Sequence, residues 1–498
     1  MLLKNVLSGL GLGVYRYPGG SIGNYWDWEH DVLFPAAAAA NPFYATVTNL
    51  SAKFPPHSFG AAAFDAVLKS GLTTNPKTML TLDVSTVGPA GGGVDTTVPA
   101  KVVAALGTER ATRFEIGNEV YDPRQGPPPN GYSTAQDYLR DTAGLVAAVR
   151  NVGGRAGVVV GPCPMFWTVE GKCWGYPNGR YHQWAKNISS ACNATACPFD
   201  AIIAHNYVVD VSIISEYRSS AENMLSVFLA VPQVTMDNAA AAMQRDYPPN
   251  IKLWVTEYNT FYPDVWHGKS DATNTAAAAF LNSTENSGAH AVQVAAAIIA
   301  AMGHGDVVEV MNYHSFAEGA SPAFFGPAGT GDGQPGFGIA AFNDTGAYIS
   351  PVAQMLSMFA FWLRHPGCSM ASLVQPAGSP ALNVTLAAVN LGGSSLPCIQ
   401  AAVVCYGAGS SGGKVLALNR CPVSAPVLLP ASACFNAQRA AAAWKSVHVY
   451  NATTGPPGRT WAKASGPLPW VALAPDVYPG GEGDTVLSRP FALSVIEL

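Results

Sequence analysis

Charge is scarce in this sequence: Asp, Glu, Lys and Arg together make up 12% of 498 residues, and the formal net charge is −5. No run of Lys or Arg occurs, so the chain lacks the basic surface that nucleic acid or an anionic membrane would require. No stretch reaches the ~18 apolar residues of a membrane span. The nearest, residues 291–302, contains Gln293 and reads as a buried helix. None of the nine cysteines has a C-x-x-C partner, which argues against a zinc site; neither a metal nor an organic cofactor is expected. Internal repeats and long low-complexity linkers are also missing. What remains is a 49% hydrophobic chain, long enough for a large core and two domains.

The cysteines fall in two groups, Cys163 to Cys197 and Cys368 to Cys434, with one left over by parity. Short spacing predicts the disulfides Cys192–Cys197 and Cys163–Cys173. Asn-x-Ser/Thr sequons at Asn49, Asn187, Asn193, Asn282, Asn343, Asn383 and Asn451 add to an expectation of a secreted glycoprotein. The apolar start, residues 1–14 with Lys4, lacks a cleavage site and runs directly into a strand, so it reads as part of the fold.

From residue 14 to about 365, short β-branched runs alternate with helical stretches, the rhythm of a parallel sheet or barrel. Strands are expected at 14–17, 79–83, 113–116, 157–160, 201–205, 253–256 and 307–311. Helices are expected at 61–70 behind Ser58, at 134–151 behind a capping box of Ser133 and Gln136, and at 352–363 behind Ser350-Pro351. Beyond Pro366 the alternation stops, and short strands separated by Gly, Pro and Ser predict an antiparallel β-sandwich. The expected domains are 1–365, a (β/α) barrel, and 366–498, the sandwich.

Carboxylates at the C-terminal ends of barrel strands lie where a barrel carries chemistry. Two segments meet that description: Arg113-Phe-Glu-Ile-Gly-Asn-Glu119 and Leu253-Trp-Val-Thr-Glu257-Tyr-Asn. A lone Gly-Asn-Glu is an ordinary turn. Here Tyr15-Arg16-Tyr-Pro-Gly-Gly20, Asn24-Tyr-Trp26-Asp-Trp28 and His205-Asn-Tyr207 stand in order with them, also at strand ends. Together these segments resemble the clan A retaining glycoside hydrolases, in particular the arabinofuranosidase-like and heparanase-like families. The resemblance runs over residues 14–365. It implies a TIM-type (β/α)8 barrel with a β domain behind it, Glu119 as acid/base at the end of the fourth strand and Glu257 as nucleophile at the end of the seventh.

The resemblance implies further roles. Arg16 keeps the nucleophile ionised, Tyr207 contacts it, and Asn118 bonds the hydroxyl beside the anomeric carbon. His205 belongs to the same sixth-strand motif, while Glu115, four residues before Glu119, reads as structural. Trp26, Tyr313 and His314 are candidates for sugar contact within an aromatic group that also includes Tyr25, Trp28, Trp254, Tyr258, Phe261, Tyr262 and Trp266. The expected activity is double-displacement hydrolysis of a cell-wall or matrix polysaccharide or oligosaccharide. The Arg-Tyr-Pro-Gly-Gly segment favours an arabinofuranosidase-like enzyme, and the two-domain plan is also compatible with a glucuronidase or xylosidase. A non-catalytic carbohydrate-binding glycoprotein on the same barrel is the alternative. Counting back from Glu119 makes residues 14–17 the second strand. The first strand is therefore expected to be missing, with a gap between the strand of Arg16 and the last strand; a start upstream of Met1 would account for this and for the weak leader.

Overall fold

All seven expected strands form, and they lie in chain order in one parallel sheet: β1 (Val14–Tyr17), β2 (Lys77–Leu82), β3 (Ala111–Ile116), β4 (Arg155–Val159), β5 (Ala201–Tyr207), β6 (Lys252–Asn259) and β7 (Val308–Tyr313). The computed structural model describes residues 6, 10–20, 23–24, 26–27, 32–33, 77–84, 94–123, 125, 131–161, 165–166, 179–193, 195–207, 211–260, 275–284, 287–314, 339–343, 346–363, 368–373, 396–406, 413–429, 443–452, 462–463, 473–482 and 485–498. The expected helix at 61–70, the expected strand at 382–388, Cys163, Cys173, Tyr25, Trp28, Phe261, Tyr262 and Trp266 lie outside the described residues.

The sheet curls into a nearly closed barrel. Central strands are apolar on both faces, and β5 is buried along its whole length, as a barrel strand between core and helices must be. The outer strands β1 and β7 are mostly half-buried. They share no ladder among the described residues, yet the expected gap is narrower than an open slot: Asn312 Nδ2 on β7 donates to the Val14 carbonyl on β1 at 3.2 Å. Val6 and Leu10, which precede β1, are fully buried.

Helices fill the connections. α1 (Val98–Leu106) and α2 (Ala135–Asn151) flank β3. The N-cap of α2 is Thr134 rather than Ser133; its backbone is extended and its hydroxyl accepts from Asp137 N at 3.1 Å. Tyr138, Thr142, Leu145 and Val149 form the buried face. The Tyr138 hydroxyl donates to Ile116 O at 2.6 Å and accepts from Val159 N at 3.3 Å, pinning α2 across β3 and β4.

α3 (Arg180–Ser190), α4 (Val211–Ser215), α5 (Ala221–Asp246), α6 (Thr275–Thr284), α7 (Gly288–Gly303) and α8 (Pro351–Leu363) follow. α7 contains the apolar stretch at 291–302 and is buried almost all round. It packs on α5, α8 and β7 on one side and on the C-terminal sheet on the other, and Gln400 Nε2 donates to Ala296 O at 3.2 Å. A helix covered from both sides has no need of a polar face.

The C-terminal part is antiparallel. Its main sheet has six strands in the order Ser369–Leu373, Ile399–Cys405, Gly413–Asn419, Ala492–Glu497, Ala443–Asn451 and Asp476–Glu482. A two-stranded sheet pairs Ala425–Leu428 with Thr485–Ser488. A three-stranded one joins Ala340–Asn343 and Gly346–Ile349 to Ala462–Lys463, so β pairing reaches across residue 365. Disulfides link Cys192 to Cys197, as the spacing predicts, and Cys398 to Cys421. Cys405 is disulfide-bonded as well, and Cys368 is a free thiol.

The N-terminal end of the barrel is closed by a polar knot. The register of β7 against β6 steps from Leu253↔Val308 to Trp254↔Val310, which makes Glu309 an extra residue. Glu309 accepts from Arg113 Nη2 at 2.7 Å, Arg155 Nη1 at 2.6 Å and Trp254 Nε1 at 2.9 Å. Trp254 is fully buried, with the Arg155 guanidinium 5.6 Å above its ring. Trp254→Ala should lower the unfolding free energy in urea by about 3–5 kcal/mol through the cavity it leaves, read as a shift of the denaturation midpoint.

Candidate active site

At the opposite end, the strand termini converge on two cations and three carboxylates. Arg16 projects from β1, and its guanidinium is committed on three sides: Nε donates to Glu115 Oε2 at 2.5 Å, Nη1 to Glu257 Oε1 at 2.7 Å and Nη2 to Asn118 Oδ1 at 2.7 Å. The chain after β1 turns back over it. Gly19 has φ +69, and a Cβ there would come within 3.1 Å of Arg16 Nη1, so only glycine suits the turn.

β3 ends in a strained turn. Gly117 has φ +76, and a Cβ on it would meet Val84 at 2.6 Å and Val120 at 2.8 Å. Glu119 has φ 45, a left-handed conformation costly for a residue with a side chain. Asn24 clamps the turn: its Oδ1 accepts from Asn118 N at 2.6 Å, and its Nδ2 donates to Asn118 O at 2.7 Å and to Gln125 O at 2.8 Å. The Glu119 carboxylate then accepts from Tyr121 OH at 3.0 Å and Gln125 Nε2 at 2.6 Å, and lies 2.9 Å from His205 Nδ1.

Glu257 reaches the site because of a bulge. Trp254 faces the barrel interior, and strict alternation would send Glu257 outward towards the helices. Instead the β5–β6 register steps from Ala204↔Val255 to His205↔Glu257, and one extra residue on β6 lets Thr256 and Glu257 both face inward. Tyr258 resumes the outward phase, with its hydroxyl on Gln293 of α7 at 3.3 Å. Glu257 Oε2 accepts from Tyr207 OH at 2.5 Å, and that hydroxyl is 3.1 Å from His314 Nδ1.

The three acids sit in different fields. Burial alone would raise Glu257, but His205, His314, Arg16 and the Tyr207 hydroxyl outweigh it and hold the carboxyl well below its ordinary range. Glu115 is likewise lowered against the effect of burial by Arg16 and His205, and takes hydroxyls from Thr81 at 2.8 Å and Thr256 at 3.1 Å. Burial works against a charge on His205, yet Glu257, Glu115 and Glu119 push it up to about 10. Burial and Glu119 together raise the Tyr121 phenol.

Of the residues picked out in the sequence, Arg16, Asn118, Glu119, His205, Tyr207, Glu257 and His314 come together here. Tyr313 points elsewhere: its hydroxyl donates to Asn259 Oδ1 at 3.1 Å, beside His290, which burial holds neutral at about 3. Trp26 pairs with Leu33 in a two-residue ribbon, and its indole Nε1 is buried without a partner among the described residues. Sequence reasoning missed Tyr121, Gln125 and Thr256 and gave Glu115 no charge partner. Glu115 had a signal, since it stands on the strand that leads into Glu119, four residues before it; Gln125 had none.

One oxygen each of Glu119 and Glu257 and a nitrogen of His205 lie within 4.8 Å of one another. These are donor types that a divalent cation accepts. Such an ion would have to displace the His205 proton and compete with Arg16, so the arrangement suits two cooperating carboxyl groups better.

No family model matches the chain, and no curated protein matches it by sequence. Solved structures do match. A family 51 arabinofuranosidase from Xanthomonas axonopodis pv. citri superposes with a TM-score of 0.61 at 14% identity, covering 99% of this chain and 89% of that one. AbfB, a family 51 α-L-arabinofuranosidase from Bifidobacterium longum, gives 0.59 at 17% identity over 100% and 89%. An α-L-arabinofuranosidase from Thermotoga maritima gives 0.54 at 13% identity over 100% and 89%. At these identities the likeness is one of fold: the barrel and trailing β-sheet domain of the clan A glycoside hydrolases.

The charge cluster has a pH signature. His205 is raised from 6.5 to about 10, so the stability its proton contributes is complete below pH 6.5 and lost as pH rises through about 10. Glu115 and Glu257 are lowered from 4.5, so their contribution is complete above pH 4.5 and lost as pH falls below it. The difference in melting temperature between the wild type and His205→Gln should therefore shrink steadily between pH 6.5 and about 10, as followed by thermal denaturation.

Proposed function

We propose that this chain is a retaining glycoside hydrolase acting on cell-wall or matrix polysaccharide, and that it is arabinofuranosidase-like. The observation that carries this reading is the spacing of Glu119 and Glu257, with one oxygen of each inside 4.8 Å. Retaining pairs stand ~5–5.5 Å apart and inverting pairs ~6.5–9.5 Å, so this close an approach of the two carboxylates favours the retaining mechanism.

Glu257 is the nucleophile, kept ionised by Arg16 and Tyr207. It attacks the anomeric carbon while Glu119 protonates the departing oxygen. Glu119 then takes a proton from the water that releases the sugar from Glu257. Asn118, held by Arg16, Gln125 and Asn24, bonds the hydroxyl next to the anomeric carbon in this reading. His314, beside Tyr207, is the better candidate for sugar contact than Tyr313. The Cys192–Cys197 and Cys398–Cys421 disulfides and the exposed sequon residue Asn193 between the first two cysteines support a secretory route.

Turnover of a panel of chromogenic furanosides and pyranosides tests the activity, with arabinofuranosides expected to lead. Glu257→Ala should abolish it, and Glu119→Ala should lower it by ~10²–10⁴ on substrates with poor leaving groups. The first-formed sugar should keep its anomeric configuration by NMR; inversion would remove the covalent step. Sugar binding without hydrolysis of any glycoside would favour the non-catalytic reading.

A further inference from the structure

Two groups in the site have no part in the mechanism above: the buried carboxylate of Glu115 and the bulge residue Thr256. They meet at one ring nitrogen of His205. Nε2 lies 3.1 Å from Thr256 Oγ1, and Thr256 Oγ1 lies 3.1 Å from Glu115 Oε1. Glu115 is ionised and can only accept, and its other oxygen already takes Arg16 Nε and Thr81 Oγ1. The Thr256 hydroxyl therefore gives its proton to Glu115 and presents a lone pair to the imidazole. Nε2 must then carry a hydrogen.

That leaves Nδ1 as the nitrogen whose proton is free to move. It faces Glu119 Oε1 at 2.9 Å, while Glu257 Oε2 is farther away at 3.4 Å and already takes the Tyr207 hydroxyl. One hydrogen fits between Nδ1 and Glu119, and it can rest at either end of that bond.

Resting on the glycosidase reading, we propose that the acid of this site is a Glu119–His205 pair sharing one proton, and that Glu115, acting through Thr256, is the positioning residue that sets the imidazole tautomer for it. The other charged and titratable groups facing the pair are Arg16 from β1, Tyr121 after β3, Tyr207 from β5, Glu257 from β6 and His314 after β7. The raised affinity of His205 for its proton, a consequence of Glu257, Glu115 and Glu119 acting against burial, keeps the pair loaded through neutral pH.

The proton count balances. As Glu257 bonds to the anomeric carbon, the C–O bond breaks and its electron pair stays on the departing oxygen. That oxygen takes the proton from Glu119, and any share of it held at Nδ1 returns along the same hydrogen bond. The pair is left as a neutral imidazole with its hydrogen on Nε2 and a carboxylate on Glu119. In the second step the carboxylate takes a proton from water, the hydroxyl oxygen bonds to the anomeric carbon, and Glu257 leaves as carboxylate.

The tautomer is read directly by NMR on the full chain with 15N-labelled histidine, using His205→Gln to assign the signal. Nε2 should stay protonated from about pH 5 upward, and Nδ1 alone should lose its hydrogen as pH rises through about 10. A hydrogen on Nδ1 with Nε2 bare would overturn the proposal. Kinetics give a second readout. His205→Gln and the isosteric Glu115→Gln should move the alkaline limb of kcat/KM to lower pH by about one unit or more. They should also slow poor leaving groups by ~10²-fold, but nitrophenyl glycosides by less than ~10-fold. Glu115→Asp should restore part of the shift. An alkaline limb unmoved in Glu115→Gln would overturn the role of Glu115. If no glycoside is hydrolysed at all, the functional reading fails, and the tautomer measurement still decides this inference.

Discussion

Arg16 is a guanidinium with 6% of its side chain exposed, bonded at once to Glu115, Glu257 and Asn118. A buried cation is tolerable only when its charge and its donors are all matched, and removing one partner of such a pair typically costs about 3–5 kcal/mol. The consequence is mechanical as well as electrostatic. Arg16 stands on an outer strand, and its partners stand on β3, on the turn after β3 and on β6. The strand that has no ladder on one side among the described residues is thus tied across the interior of the barrel. Glu309 does the same for the other outer strand, joining β7 to Arg113 on β3 and Arg155 on β4. The seam between β1 and β7 is held by cross-barrel charge at both ends, with Asn312 spanning it between.

Register irregularities aim the groups that take part. A strand side chain can change faces only if a residue is inserted or removed from the pairing. The extra residue at Thr256 turns Glu257 from the helix side to the mouth, and the extra residue at Glu309 turns that carboxylate into the base. Both bulges lie at the two ends of the same pair of strands, β6 and β7. The left-handed backbone at Glu119, made accessible by Gly117 and clamped by Asn24, serves the same purpose on the other side of the site. The strain at Glu119 is local, and Asn24, Tyr121 and Gln125 hold it in place from three directions.

The charge pattern that results is alternating rather than additive. Three carboxylates flank Arg16 and His205, so each cation is shared and each acid meets a different set of donors. Glu115 sees cations and hydroxyls and is closed off from solvent. Glu257 sees Arg16, His205 and Tyr207 and stays ionised. Glu119 meets an amide, a phenol and an imidazole. Environment alone sets three chemically identical side chains apart in burial and partners.

Much of this could be read in the amino-acid order. The apolar runs set the seven strands and their order, because a run buried on both faces cannot be anything but an interior strand once helices alternate with it. The polar residues that end those runs, Arg16, Asn118, Glu119, His205, Tyr207 and Glu257, were legible because barrel strands deliver their last residues to one face. Side-chain direction was not. Alternation counted from Trp254 puts Glu257 on the wrong side, and only pairing against β5 reveals the inserted residue. Tyr313 and His314 are neighbours in sequence, yet one turns to Asn259 and the other to Tyr207, since successive residues at a strand end face opposite ways. Tyr121 and Gln125 stand only two and six positions from Glu119 and reach it through the turn after β3, but the link from Glu115 through Thr256 to His205 joins residues up to 141 positions apart. Contacts of that kind leave no local pattern, because what selects them is the distance across a barrel rather than the distance along the chain.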